Sequence, residues 1–140
     1  MTFSHKIIRD RNFVLTRIVG EVTDENLLEY VQELNSETIG MDNLRELADC
    51  RGITSLNTLT VQGTILSSQS ERERNHSVLA ILVPKNNDLL YGMVRAFQVF
   101  SEEKRREVEI FDDLEQAVDW ISESKNEKEF LLDFVNKSSA

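Results

Sequence analysis

Val78-Leu79-Ala80-Ile81-Leu82-Val83 is an unbroken apolar run of strand length. It does not alternate with polar residues, so the strand it predicts is covered on both faces. Pro84 and the Asn86-Asn87 pair end it. A strand of this kind belongs to a sheet with helices packed on it, and the flanking sequence supplies the helices. Asp88 opens one with Leu90, Met93, Val94, Phe97 and Phe100 on one side, and Glu102 to Arg106 form its polar exit. Val108–Phe111 is a further short strand. Upstream, Asn57 or Thr58 caps a helix that reaches about Arg72, with Leu59, Ile65 and Leu66 as a thin apolar stripe. Gly63 weakens that helix by up to about 1 kcal/mol relative to Ala.

Further out the alternation of strand and helix continues. Leu44–Cys50 predicts a strand and Ile53–Asn57 a connection. Thr23 is an N-cap for a helix carrying Leu27, Leu28, Val31 and Leu34, which Gly40 stops. Ile7-Ile8 and Phe13–Val19 read as a β-hairpin around Asp10-Arg11-Asn12, and Gly20 ends its second strand. Asp113 and Gln116 have capping-box spacing ahead of Leu114, Ala117, Val118 and Ile121. Ser124 and Glu127 repeat that spacing ahead of an amphipathic helix with Phe130, Leu131, Phe134 and Val135. The order is β-β-α-β-α-β-α-β-α-α, an α/β layer structure with a mostly parallel sheet. The last helix lies outside the alternation, so it either covers the domain or contacts another copy.

The chain has 140 residues, of which 40% are hydrophobic and 29% charged, one folded domain's worth. Lys and Arg number 16 and Asp and Glu 25, a net charge of −9. That balance argues against nucleic acid and anionic membrane surfaces as main partners. No apolar stretch approaches the ~20 residues that insertion across a membrane requires. The start, Met1-Thr2-Phe3-Ser4-His5, has no signal-peptide pattern, and the expected location is cytoplasmic. Cys50 is the only cysteine, which leaves no disulfide framework.

Catalysis is poorly supplied. The only histidines are His5 and His76. A Cys50/His76 nucleophile pair is conceivable at a strand end, but a free cysteine is by default a small buried hydrophobe. Asp112, Asp113, Glu115 and Asp119 suit a helix start better than a metal site. No glycine-rich phosphate loop is present. Arg72, Arg74, Lys104, Arg105 and Arg106 lie among acids and read as a solvated surface of mixed sign. The expectation is a protein that is not an enzyme, with no catalytic residues, no metal and no cofactor. Tyr91, Met93, Phe97, Val99 and Phe100 put apolar groups on more than one face of their helix, so the second face is expected to meet the C-terminal helix, another subunit or a lipid-like ligand.

Four stretches carry a resemblance. They are Glu46-Leu47-Ala48-Asp49-Cys50-Arg51-Gly52-Ile53, Gly20-Glu21-Val22-Thr23-Asp24, Tyr91-Gly92-Met93-Val94-Arg95-Ala96-Phe97-Gln98, and Val108–Phe111 followed by Asp113–Ile121. In order and spacing the chain resembles the SpoIIAA-like (STAS-type) family, and within it a branch of small stand-alone bacterial proteins of uncharacterised role. The resemblance implies the β-α superhelical fold shared by STAS and CRAL-TRIO domains, with an N-terminal hairpin and an extra C-terminal helix. It places Asn57 and Thr58 at the phosphoswitch of STAS proteins, with Asn57 replacing the usual Asp and Thr60 the usual Gly. On the residues alone, Thr58 is a plain helix cap.

Residues 1–122 are thus expected to form the SpoIIAA-like domain. Residues 123–140 form a helix that belongs to it or mediates a dimer. The expected function is a non-enzymatic regulatory or protein-interaction module, with a homodimer and a regulatory protein as partners. Asp49, Arg51, Asn57 and Thr58 are its candidate partner or phosphoswitch surface. Tyr91, Met93, Arg95, Phe97, Phe130 and Phe134 are the candidate self-association or ligand surface. The alternative is a carrier or sensor of a lipid-like molecule, with the Leu89–Phe100 helix lining the pocket and Trp120 near it.

Overall fold

In the computed structural model, which describes residues 2–138, five strands lie side by side in the order in which the chain makes them. β1 (Phe3–Ile8) and β2 (Phe13–Glu21) form the antiparallel hairpin, closed by a short 3-10 turn at Arg9–Arg11. Asn12 ends that turn at φ 51°, a left-handed conformation that asparagine tolerates. β3 (Arg45–Ser55), β4 (Arg74–Leu82) and β5 (Arg105–Phe111) then add in parallel, each beside the one before.

This order fixes the layers. Each parallel strand steps across the sheet in the same direction, and each crossover is expected to be right-handed. All three crossover helices therefore land on one face. They are α1 (Asp24–Glu37), α2 (Val61–Gln69) and α3 (Asp88–Ser101). The other face is left for α4 (Leu114–Ile121) and α5 (Lys125–Ser138). Two apolar cores result. Val14, Ile18, Ala48, Leu79 and Ile81 meet Leu34, Leu90 and Val94 on the crossover side. Phe13, Leu15, Leu47, Ala80 and Leu82 meet Ala117, Val118, Leu131 and Val135 on the other. Residues 78–83 face both cores, as an unbroken apolar run requires.

Most helix starts follow their sequence signals. Thr23 caps α1 in a full capping box with Asn26. Asp113 accepts from the Gln116 N–H at 2.9 Å, and Ser124 from the Glu127 N–H at 3.1 Å. The Glu127 carboxylate does not return to Ser124. It accepts from the Glu123 N–H and binds Arg45, which also donates to the Ile121 carbonyl. α5 thereby caps the start of β3.

The segment around α2 departs from expectation. Its cap is Thr60, not Asn57 or Thr58, and it ends at Gln69 rather than Arg72. The Thr60 hydroxyl accepts from the Gly63 N–H at 2.8 Å and donates to Asp24 at 2.7 Å, so the start of α1 selects the cap. The expected stripe is also inverted. Thr64, Ser67 and Ser68 are the buried residues of α2, while Leu66 is 54% exposed. Leu59 precedes the helix. α2 packs against α1 and α3 and stands off the sheet. β3 continues through Ile53–Ser55 beside the end of β2, so that segment is strand before it is connection. β4 and β5 begin earlier than their apolar runs, at Arg74 and Arg105.

Candidate functional site

Along β3, Glu46, Ala48 and Cys50 point to the crossover helices, whereas Arg45, Leu47 and Asp49 point to α4 and α5. The first set borders a cavity of about 90 Å³ between the sheet and the α1–α3 layer. Its walls are apolar: Ile18, Leu79 and Ile81 from the sheet, Leu34 from α1, and Leu90, Met93, Val94 and Phe97 from α3. Leu27, Ile53, Leu56 and Met93 are only partly buried and form its rim, toward the carboxyl ends of the parallel strands. The strand order never reverses, so the crevice that opens at a switch point in doubly wound sheets does not arise here. The cavity lies under helices instead.

The opposite end is charged. Glu46, Glu71, Arg74 and Arg105 all border it and all are buried. Arg105 Nη2 donates to Glu46 Oε1 at 2.9 Å and to Glu71 Oε2 at 2.5 Å. Thr16 and Tyr30 donate to Glu46 Oε2 at 2.7 and 3.1 Å. The Ser101 hydroxyl donates to Glu71. Burial alone would raise the Glu46 carboxyl, but Arg105 and the Thr16 hydroxyl hold it below the ordinary glutamate value. Burial beside the Glu46 carboxylate pushes the Tyr30 phenol well up, so it stays a donor.

Arg74 has no such partner. It is 1% exposed and makes no ion pair among the described residues. Only its Nη2 is bonded, to Asn35 Oδ1 at 3.2 Å and Thr38 Oγ1 at 2.8 Å. Burial and the nearby Arg105 lower its affinity for a proton. Strict alternation would turn Arg74 to the side of Val78, Ala80 and Leu82, toward α4. The register break between Arg74 and Val78 sends it to the cavity side. The expectation that Arg74 and Arg105 lie on a solvated surface is therefore wrong. Both are inside, and Glu71 with them.

The other predicted residues separate. Met93 and Phe97 line the cavity. Tyr91 is 50% exposed on the outside of α3, and the exposed Arg95 donates to Gln98 one turn on. Asp49 is buried on the α5 side, bound by Arg17 at 2.9 Å and by two nitrogens of Arg51, each at 2.9 Å. Burial works to raise its carboxyl, but hydrogen bonds from Arg51 and the Arg17 charge keep it low. Asn57 and Thr58 are exposed in the loop before α2, and no hydrogen bond or ion pair among the described residues joins them to Asp49 or Arg51. Phe134 packs on Phe13, and Phe130 stacks on Phe134 under the Arg11 guanidinium, 4.0 Å from its ring centre. Trp120 sits against Phe111 in the α4–α5 core, away from the cavity where it was expected.

Cys50 and His76 do not meet. Arg45 pairs with Val78, so His76 and Cys50 lie toward opposite ends of adjacent strands, roughly 20 Å apart. Burial and the Asp49 and Glu46 carboxylates push the Cys50 thiol up to about 12. The acidic residues after β5 are occupied by lysines, Lys85 at Asp112 and Lys128 at Glu115 and Asp119. His5, Glu33 and Glu37 bring one potential ligand atom each within 4.8 Å, and His5 is bound to Glu37 at 2.8 Å. Among the described residues no helix is long and apolar enough to cross a membrane.

The fold has a counterpart among solved structures. An uncharacterised DUF3478-family protein with a SpoIIAA-like fold, from Shewanella loihica PV-4, superposes with a TM-score of 0.55 at 18% identity. The match covers 86% of this chain and 92% of that one. The chain thus has the SpoIIAA-like fold that its motifs suggested, hairpin and C-terminal helix included. No protein-family model and no curated protein matches the sequence.

Proposed function

We propose that this protein is a non-enzymatic carrier or sensor of an apolar small molecule, held between the sheet and α1–α3. The observation that carries this reading is the cavity: aliphatic and aromatic walls close around about 90 Å³ beneath a helix that stands off the sheet. Ligand sites are concave, mostly apolar and furnished with a few placed polar groups; this cavity has that lining, and at about 90 Å³ it holds part of a ligand whose remainder would extend past the rim of Leu27, Ile53, Leu56 and Met93. The polar inward side of α2 makes it the layer's least firmly seated member. Ligand entry would displace α2 more easily than α1 or α3, and a change in α2 would be visible from outside.

A second reading, an interaction or self-association module, is favoured by one observation. α2 and α3 expose Val61, Leu66, Leu89, Tyr91 and Val99. Scattered exposed apolar residues are ordinary, but five on two helices that pack side by side exceed that. Native mass spectrometry of freshly purified protein, repeated after denaturation, tests both readings. Extra mass that is released on denaturation is the result expected for a carrier. A dimer without extra mass favours the module. A bare monomer that also fails to take up added octan-1-ol would overturn the carrier reading.

A further inference from the structure

Three guanidinium nitrogens are buried at the charged end of the cavity without a hydrogen-bond partner among the described residues: Arg74 Nε, Arg74 Nη1 and Arg105 Nη1; the Nε of the half-buried Arg72, which does not line the cavity, is a fourth. Buried donors of charged groups are costly to leave unmade, and a native chain retains them where something accepts from them. The charge count points the same way. Within electrostatic reach of Arg74 lie Arg105, the half-buried Arg72 and two carboxylates, Glu46 and Glu71, both of which make their direct ion pairs with Arg105. Counting Arg72, the group carries one positive charge in excess, next to the inner end of an otherwise apolar cavity.

We infer that the cavity binds a single-chain aliphatic carboxylate head-first, with its carboxylate on Arg74 and Arg105 and its tail running along α3 toward the rim. This rests on the carrier reading above and deepens it. Arg74 is the principal anchor because it has two free N–H-bearing nitrogens and no carboxylate in ion-pair contact among the described residues. Arg105 contributes its remaining nitrogen while holding Glu46 and Glu71. Leu79, Ile81, Leu90 and Val94 surround the first carbons of the tail, and Met93, Leu56 and Leu27 its far end. A single excess positive charge matches a carboxylate monoanion better than a phosphate dianion. The arrangement is the reverse of a lipid lying with its polar head in solvent.

The test is isothermal titration calorimetry of the whole protein with octanoate, octan-1-ol and octyl phosphate. Octanoate is expected to bind one per chain, about tenfold or more tighter than octan-1-ol, since hydrogen bonds to a charged group are at stake. Arg74→Gln is expected to bring octanoate down to the affinity of the alcohol. Equal binding of octanoate and octan-1-ol by the natural protein would overturn the head-first assignment and leave the apolar cavity standing. Tighter binding of octyl phosphate than of octanoate would overturn the carboxylate. No binding of any of the three would overturn both the inference and the carrier reading. The comparison of ligands on the natural protein decides the matter even if Arg74→Gln folds poorly.

Discussion

Arg74 and Arg105 face each other across the first pair of the β4–β5 ladder, and they keep different company. Arg105 is in ion-pair contact with two buried carboxylates, whereas Arg74 touches neither. Their removal should therefore have opposite weights. Arg105→Leu removes the one cation in contact with Glu46 and Glu71 among the described residues, and breaking a buried pair in this way costs about 3–5 kcal/mol. Arg74→Met breaks no ion pair and removes only the longer-range attraction for Glu46 and Glu71: Asn35 Oδ1 still accepts from the Arg72 N–H, and the Thr38 hydroxyl still donates to the Leu34 carbonyl. Its cost is expected below about 1 kcal/mol. Urea denaturation of the two variants gives the comparison directly. Nothing in the sequence marked either arginine. Each stands next to other basic and acidic residues, in a pattern shared by any solvated surface. The two carboxylates that bury Arg105 lie 59 and 34 positions away from it, so the pairing is created by the fold.

At the scale of elements, α2 is where local signals and tertiary structure diverge. Asn57, Thr58 and Thr60 are all acceptable caps by composition. The choice falls to Thr60 because Asp24, at the start of α1, accepts both its N–H at 2.8 Å and its hydroxyl at 2.7 Å. Gly63 is then required by space. A Cβ placed there would come within 2.1 Å of the Asp24 carboxyl group. Gly63→Ala should therefore destabilise the protein, although alanine is the better helix former. The helix gains about 1 kcal/mol of propensity but loses two hydrogen bonds to a carboxylate worth about 2–3 kcal/mol. A net loss of about 1 kcal/mol is expected by thermal denaturation, and a rise in stability would show that the α1–α2 clasp is unimportant. The other elements were legible because their cores are apolar and periodic. α3 presents Leu90 and Val94 inward, and α4 presents Ala117, Val118 and Ile121. α2 was not, because its inner side meets hydrogen-bonding partners such as the Phe97 carbonyl, which Ser68 donates to at 2.8 Å.

For the whole molecule, the α/β class with its mostly parallel sheet followed from the alternation of strands and helices, and the SpoIIAA-like resemblance from four short stretches in the right order; which face each helix covers did not. The cavity did not follow, since it is a space left between α2 and the sheet and no residue pattern encodes a space. The seal between α5 and the sheet is electrostatic as well as apolar. Glu127 binds Arg45, which holds its carboxyl down to about 2. In the unfolded chain that carboxyl returns to about 4.3, so its contribution is complete at neutral pH and is lost as the pH falls from about 4 toward about 2. Glu127→Gln should flatten the acid limb of the stability profile, measured by urea denaturation at several pH values, and an unchanged limb would assign it to other carboxylates.

The strand order has a consequence for how the molecule forms. Every strand pairs with its immediate predecessor, so during synthesis the sheet can grow one strand at a time without waiting for a distant segment. The crossover face is covered as it grows, since each helix emerges between the strands it spans. The other face is not. Phe13, Leu15, Leu47, Ala80 and Leu82 stay bare until α4 and α5 have left the ribosome, because both helices follow all five strands in the chain. The nascent protein thus passes through a half-clad state, and the amphipathic stretch from Leu114 to Ser138 ends its exposure to aggregation.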